Sequence, residues 1–155
     1  MDNGNRTPTV VIEAKTQEVV DSIKKQMISR GVRATNELMS AKILTLRGKR
    51  SGRRYLVPGT RRHYFASKAG EVPANRTGEY REKWDEKSYA DNSGTGMTVH
   101  ATIESRVRTD GGKYLLGELL ENGSPNGKIA PRPHQDKIKE KAKPKIRKIY
   151  KEPYT

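Results

Sequence analysis

The stretch from Tyr64 to Trp84 constrains the fold more than any other part of this sequence. It contains Gly70, Pro73 and Gly78, which exclude a continuous helix because glycine favours left-handed or strained backbone and proline lacks an amide hydrogen. Before this stretch the apolar residues recur at helical spacings, and after it they alternate as they do in strands. The sequence therefore predicts an ordered connector between a helical half and a strand half, which is an α+β fold.

The N-terminal half is expected to form one long amphipathic helix. Residues 1–8 are polar and expected to be flexible, Thr9 to Ala14 is predicted to be a short strand, and a helix then begins at Thr16 as N-cap and ends near Arg47. Gly31 lies inside this helix and indicates either a bend or a close approach by a neighbouring element. The apolar stripe of the helix comprises Val20, Ile23, Met27, Ala34, Leu38, Ala41 and Leu44.

The C-terminal half is expected to contain an antiparallel strand pair and two helices. Arg81 to Ala90 and Met97 to Val107 are the strand candidates, and the second of them has the clearest two-residue alternation. A short helix is predicted from about Lys113 to Glu121, and a last helix from Pro133 to about Lys151. Pro144 is expected to kink or divide that last helix. We expect a single domain, residues 1–155, in which the long N-terminal helix packs on an antiparallel β-sheet.

The basic residues are distributed unevenly along the chain. Between Glu37 and Glu71 there are nine basic residues and no acidic one, and residues 126–151 hold ten basic and two acidic residues. We place the first cluster on a long basic loop and connector, residues 47–80, with Tyr55 to Val57 as a possible short strand. Its role is either a solvated surface or a contact with DNA phosphates or an acidic partner. The candidate contact residues are Arg47, Lys49, Arg50, Arg53, Arg54, Arg61 and Arg62.

No catalytic or metal-binding pattern is found in the sequence. It has no cysteine, and its three histidines lie apart without a second ligand at metal spacing. Asp85 and Glu86 are neighbours on a predicted strand and would point to opposite faces, which is poor geometry for a catalytic pair. We therefore expect neither an enzyme nor a cofactor.

The apolar content is low for a chain of this length. Only 27 of 155 residues are Val, Ile, Leu or Phe, and the net charge is +14. A patterned chain with so little apolar mass is expected to complete its burial against neighbouring subunits, so we predict a homo-oligomer. No apolar run suits a signal peptide or a membrane span, and we expect a protein made in the cytoplasm without membrane contact.

A series of motifs in the second half resembles a known family. The order Gly-Glu-x-Pro-Ala, Thr-Gly, Arg, and later Tyr, Glu-x-Gly and Arg-Pro resembles the small neck or tail-completion proteins of long-tailed bacteriophages, which join head to tail or are minor tail components. Four positions depart from the family pattern: Tyr80 replaces leucine, Lys83 serine, Asn122 an aromatic residue and His134 phenylalanine. The matching residues are Gly70, Glu71, Pro73, Ala74, Thr77, Gly78, Arg81, Tyr114, Glu121, Gly123, Arg132 and Pro133.

The resemblance implies a virion structural protein of the neck or tail top. It would form a closed ring, six-fold to match a tail tube, that touches head-closure or connector proteins and tail proteins and surrounds packaged double-stranded DNA. We expect the segment Ala66 to Arg81 to lie among the subunit contacts. The alternative, which the charge alone favours, is a basic nucleic-acid-binding protein of the ribosomal or chromatin type without sequence preference.

Overall fold

The computed structural model describes residues 8–92 and 96–155, with side chains from residue 16 onward, and has a mixed α+β architecture. The predicted fold class is thus confirmed. In chain order the elements are α1 (Pro8–Leu46), β1 (Arg54–Leu56), β2 (His63–Phe65), α2 (Glu79–Glu82), β3 (Asp85–Asp91), β4 (Thr98–Glu104), α3 (Leu116–Asn122) and α4 (Gln135–Tyr150). None of the described helices is long and apolar enough to cross a membrane.

Helix α1 is longer than predicted because it begins at Pro8. The expected strand from Thr9 to Ala14 is wrong, and Thr16 lies within the helix rather than at its N-cap. No glycine or proline occurs between Thr9 and Arg30, so nothing in the sequence interrupts the helix, and proline is well tolerated at its first turn. The remaining residues of the expected flexible N-terminus, 1–7, lie outside the described part of the chain.

The basic loop contains an antiparallel hairpin that was only partly predicted. Strand β1 agrees with the expected strand near Tyr55, but its partner β2 was not predicted. Tyr55 pairs with Tyr64, and the ladder continues through hydrogen bonds that join Val57 to Arg62 and Ala66 to Arg53. Part of residues 47–80 is therefore a folded ribbon, and Arg53, Arg54, Arg61 and Arg62 of this segment lie on or beside the hairpin.

A second hairpin, formed by β3 and β4, packs on α1. Asp85 pairs with Glu104 and Asp91 with Thr98, which is the predicted antiparallel arrangement. The first strand begins later than the expected Arg81, because residues 79–82 form one helical turn, α2, after Gly78 in the left-handed region. The second strand ends at Glu104, short of the expected Val107.

The two C-terminal helices are found close to their predicted positions. Helix α3 begins at Leu116 rather than near Lys113, and α4 begins at Gln135 rather than at Pro133. Helix α4 continues through Pro144 without a break, so the predicted division does not occur.

The core lies between α1, α4 and the β3–β4 hairpin. Ala41, Ile138 and Ala142 form a buried cluster, and the partly buried Trp84 and Ile103 pack against it. Small residues allow the two helices to approach closely, while the outer members of the predicted α1 stripe remain uncovered: Val20 is 38 % and Leu44 54 % exposed. The α1 stripe is therefore covered only over part of its length.

Gly31 marks a close approach by the sheet. A β-carbon at this position would lie 2.3 Å from Cγ1 of Val99 and 2.6 Å from Oγ of Ser88. Of the two roles left open by the sequence, close approach is the one that the structure shows. The absence of a side chain lets the β3–β4 hairpin lie directly against the helix.

Replacing Gly31 with leucine should destabilise the protein by about 1–2 kcal/mol, because overpacking outweighs a gain of about 1 kcal/mol in helix propensity. Thermal or urea unfolding measures the change. Val32→Leu is the matched control, since Val32 is half-exposed on the same helix, and it should unfold like the wild type. A Gly31→Leu protein as stable as this control would contradict the packing described above.

Candidate nucleic-acid interface

The Arg50 guanidinium joins the end of α1 to the connector. It donates hydrogen bonds to the carbonyl oxygens of Leu46, Gly48 and Pro73, with distances of 3.0 and 2.6 Å to Pro73. The last carbonyls of a helix lack intrahelical partners and carry partial negative charge, so a cation is favourable there. Burial lowers the pKa of Arg50, as does the positive charge of Arg81, while Glu71 opposes this shift. The Arg50 side chain is thus already used inside the protein.

Glu71 fastens the same connector to the chain that follows α1. Its carboxylate accepts hydrogen bonds from the hydroxyl and the amide of Ser51 and from the amide of Lys68. These bonds, the Ser51 hydroxyl first, lower the pKa of Glu71 to about 2. Glu71 and Arg50 therefore hold the connector from two sides.

The connector is also tied to the segment that leads into α4. Arg132 donates to the hydroxyl and the carbonyl of Ser67 at 2.8 and 2.9 Å, and the amide of Gly70 donates to the carbonyl of Pro131. Lys137 donates to the carbonyl of Gly70 at 2.8 Å. The segments around Gly70 and Arg132, which each carry part of the resemblance and lie about 60 positions apart, are thus joined through Ser67 and Pro131. We call this set of contacts among Arg50, Glu71, Gly70, Pro73 and Arg132 the connector frame.

A buried polar cluster lies beside the connector frame. The hydroxyl of Tyr80 is 2.6 Å from Nε2 of His134, whose Nδ1 is 2.8 Å from the carbonyl of Arg132. Nδ1 also lies 2.9 Å from the Glu121 carboxylate. Because a carbonyl and a carboxylate only accept, Nδ1 donates, and in the neutral imidazole Nε2 accepts from Tyr80. His134 is completely buried, and burial, with a smaller effect of the Glu121 charge, raises the pKa of Tyr80. Two of the four departures from the family pattern therefore contact each other.

The other residues that carry the resemblance have local roles. The Glu121 carboxylate accepts from the amides of His134 and Gln135 and so caps the start of α4. Gly123 has φ 80°, and a β-carbon there would lie 2.6 Å from the carbonyl of Ile129. Tyr114 is 42 % exposed and stands apart from the connector frame.

The remaining candidate basic residues stay free of protein partners. All of them are exposed, and the structure gives their side chains no hydrogen bond and no ion pair with any described residue. By contrast, Arg33 is held by Glu152 in a two-pronged ion pair at 2.5 and 2.6 Å. The free set consists of Arg47, Lys49, Arg53, Arg54, Arg61 and Arg62. Four of its members, Arg53, Arg54, Arg61 and Arg62, lie on or beside the β1–β2 hairpin.

The same hairpin exposes aromatic and apolar side chains. The rings of Tyr55 and Tyr64 stack with their centres 5.9 Å apart, and Phe65 and Leu56 are more than half exposed. A surface that carries arginines beside aromatic rings provides phosphate contacts and stacking faces together. This hairpin with its arginines and aromatic side chains is our candidate nucleic-acid interface.

The described residues include no group of acidic, histidine or cysteine side chains that would hold a metal ion. Comparison of the chain with protein-family models, curated proteins and solved structures finds no match. The family resemblance therefore rests on the motif residues alone.

Sequence reasoning missed β2 and the use of Arg50. The signal for the hairpin was present, since Pro58 and Gly59 separate two short aromatic runs at turn spacing. Nothing in the local sequence distinguishes Arg50 from Arg53, because their difference depends on the carbonyl of Pro73, which lies 23 positions from Arg50.

The contact between Tyr80 and His134 gives a prediction for a double-mutant cycle. Tyr80→Phe and His134→Phe should each cost about 1–3 kcal/mol of unfolding free energy, since each leaves a buried polar group without its partner. The double variant should lose less than the sum of the single losses, with a coupling of 0.5 kcal/mol or more, measured by urea unfolding. Strictly additive losses would contradict a direct hydrogen bond between the two side chains.

Proposed function

We propose that this protein is a structural subunit of a phage neck or tail top, assembled as a homo-oligomeric ring whose basic hairpins contact the DNA that passes through it. One observation supports it most. Four of the residues that resemble the neck family, Gly70, Glu71, Pro73 and Arg132, contribute to the connector frame, and this frame lies at the base of a hairpin whose arginines have no protein partner among the described residues.

The free cations suit a protein that grips DNA without reading its sequence. Arginines at the hairpin displace counterions from phosphates, and no helix of the described chain presents the Asn, Gln and Arg pattern that reads bases. In a ring each subunit repeats the same four hairpin arginines, so a modest cluster becomes a continuous band of positive charge.

The uncovered apolar surface of α1 is consistent with assembly. Val19, Ile28 and Val32 are 58, 47 and 49 % exposed on a helix of 39 residues. Burial of such side chains between subunits would add to the stability that a small core provides. The connector frame makes contacts within its own chain, so we place the subunit contacts on α1 as well as on the outer face of residues 66–81.

A basic nucleic-acid-binding protein that works as a monomer is the second candidate. Helix α4 and its C-cap favour it, because the basic side chains there are exposed and have no ion pair with a described residue: Lys141, Arg147, Lys148 and the C-cap Lys151. Mass measurement separates the two candidates: a stable multimer without nucleic acid supports the ring, and a monomer that is ordered by RNA or DNA supports the second candidate.

The DNA contact is tested with two variants that each lose four positive charges, one at the β1–β2 hairpin and one at the C-terminal helix α4. Changing Arg53, Arg54, Arg61 and Arg62 to glutamine should weaken duplex DNA binding and lower the slope of log affinity against log salt by up to about 0.9 per lost phosphate contact. Fluorescence anisotropy at several salt concentrations measures both quantities. The control changes Lys141, Arg147, Lys148 and Lys151 to glutamine and should leave most of the binding intact.

Two results would contradict the hairpin as the DNA contact. Equal losses in both variants would show that DNA responds to total charge only. An unchanged salt slope in the hairpin variant, together with failure of heads and tails to join, would assign the arginines to docking on an acidic partner ring.

A further inference from the structure

A cleft of about 430 Å³ lies between the end of α1 and strand β2. One side of it is basic and the opposite rim is aromatic. It is lined by Gly48, Lys49, Arg50, His63, Tyr64, Phe65, Asn75 and Arg81, with no acidic residue among them. The cleft is open, and it adjoins the free arginines of the hairpin.

Arg81 is the residue of this cleft at which a bound anion would be most favourable. Its side chain is half-buried, and its guanidinium has no hydrogen-bond or ion-pair partner in residues 8–92 and 96–155. Two neighbouring cations repel it: Lys42, which is 3 % exposed and donates to the Arg81 carbonyl, and Arg50, whose guanidinium is bonded to backbone carbonyls. Burial, and after it the charge of Arg81, lowers the pKa of both. A bound anion would relieve this repulsion.

The rim of the cleft supplies flat apolar faces. Phe65 is 55 % exposed on strand β2, and Tyr64 is partly exposed and stacked on Tyr55. Exposed aromatic rings beside a basic groove bind bases by stacking, whatever the base, because every base has a π-face. In a duplex those faces are already stacked on neighbouring bases.

We propose that this cleft binds single-stranded nucleic acid, with a backbone phosphate at Arg81 and Lys49 and an unpaired base on Phe65. This proposal rests on the proposed function in one respect, that nucleic acid binds at the hairpin. It adds that the nucleic acid in the cleft is single-stranded. A ring that carries this cleft would hold an unpaired DNA end at the hairpin, while the arginines of the hairpin contact duplex. Asn75 also lines the cleft and adds an amide to it.

The test uses the full chain and a fluorescent oligothymidylate of about 12 nucleotides, with a duplex of the same length as a second probe. Phe65→Ala should weaken single-strand binding by about 5- to 150-fold and leave duplex binding unchanged. Arg81→Gln should weaken single-strand binding and lower its salt slope by about 0.7, the value for one phosphate. The control Lys128→Gln removes an exposed charge outside the cleft and outside residues 66–81, and it should change neither affinity.

Several results would overturn the proposal. Equal losses on single strand and duplex in Phe65→Ala, or no loss in either cleft variant, would show that no base stacks there. Competition by inorganic phosphate as strong as that by the oligonucleotide would show an anion site only. If the cleft variants bind single-stranded DNA as the wild type does and the protein is a multimer, the cleft proposal is wrong and the proposed ring is kept. If the variants behave as expected in a monomer, the cleft stands and the ring is dropped.

Discussion

The position of the connector relative to α1 depends on the hydrogen bonds that the Arg50 guanidinium donates. This guanidinium satisfies carbonyls at the end of α1 and binds Pro73, so the connector begins at a fixed distance from the helix. Glu71 then holds Ser51 and Lys68, and Arg132 holds Ser67. Charge-assisted hydrogen bonds of this kind are worth about 1.5–3 kcal/mol each, which matters in a protein with few large apolar residues. The β1–β2 hairpin extends from this connector frame as a short ribbon, and its four arginines have no partner among the described residues.

The small core has a related consequence. Most of the packing between α1 and α4 is by alanine and isoleucine, and polar groups complete the burial at its edge. Tyr80 and His134 occupy positions where the pattern that the sequence resembles has leucine and phenylalanine, and a hydrogen bond joins them in this chain. Loss of either polar group alone would leave the other buried and unsatisfied. The last residues of the chain are fixed in a similar way, because Arg30 donates to the carbonyls of Glu152 and Pro153 and lies 3.9 Å from the ring centre of Tyr154.

The sequence predicted the parts of this fold that have a strong local period. The α1 stripe, the β4 alternation and α4 were found close to their expected positions, because 3.6-residue and two-residue repeats identify the buried face. Strand β2, with three residues, is too short to show a period, and the turn at 79–82 depends on Gly78 and on the bond from Trp84 to Tyr80. The candidate interface was predicted as a basic segment. Which of its arginines are free depended on contacts between distant residues, and no count of charges contains that information.

Amide hydrogen exchange in an Arg50→Met variant tests most directly whether the connector frame holds the hairpin in place. The amides of Gly70 and Glu71, which donate to the carbonyls of Pro131 and Lys68, report on the frame. The account predicts that they exchange about 10- to 100-fold faster in Arg50→Met, as expected for the loss of 1.5–3 kcal/mol of charge-assisted bonding. In Arg53→Met, which removes an equivalent charge on the hairpin, they should exchange as in the wild type. Equal protection of these amides in Arg50→Met and wild-type protein would contradict the central role given to Arg50.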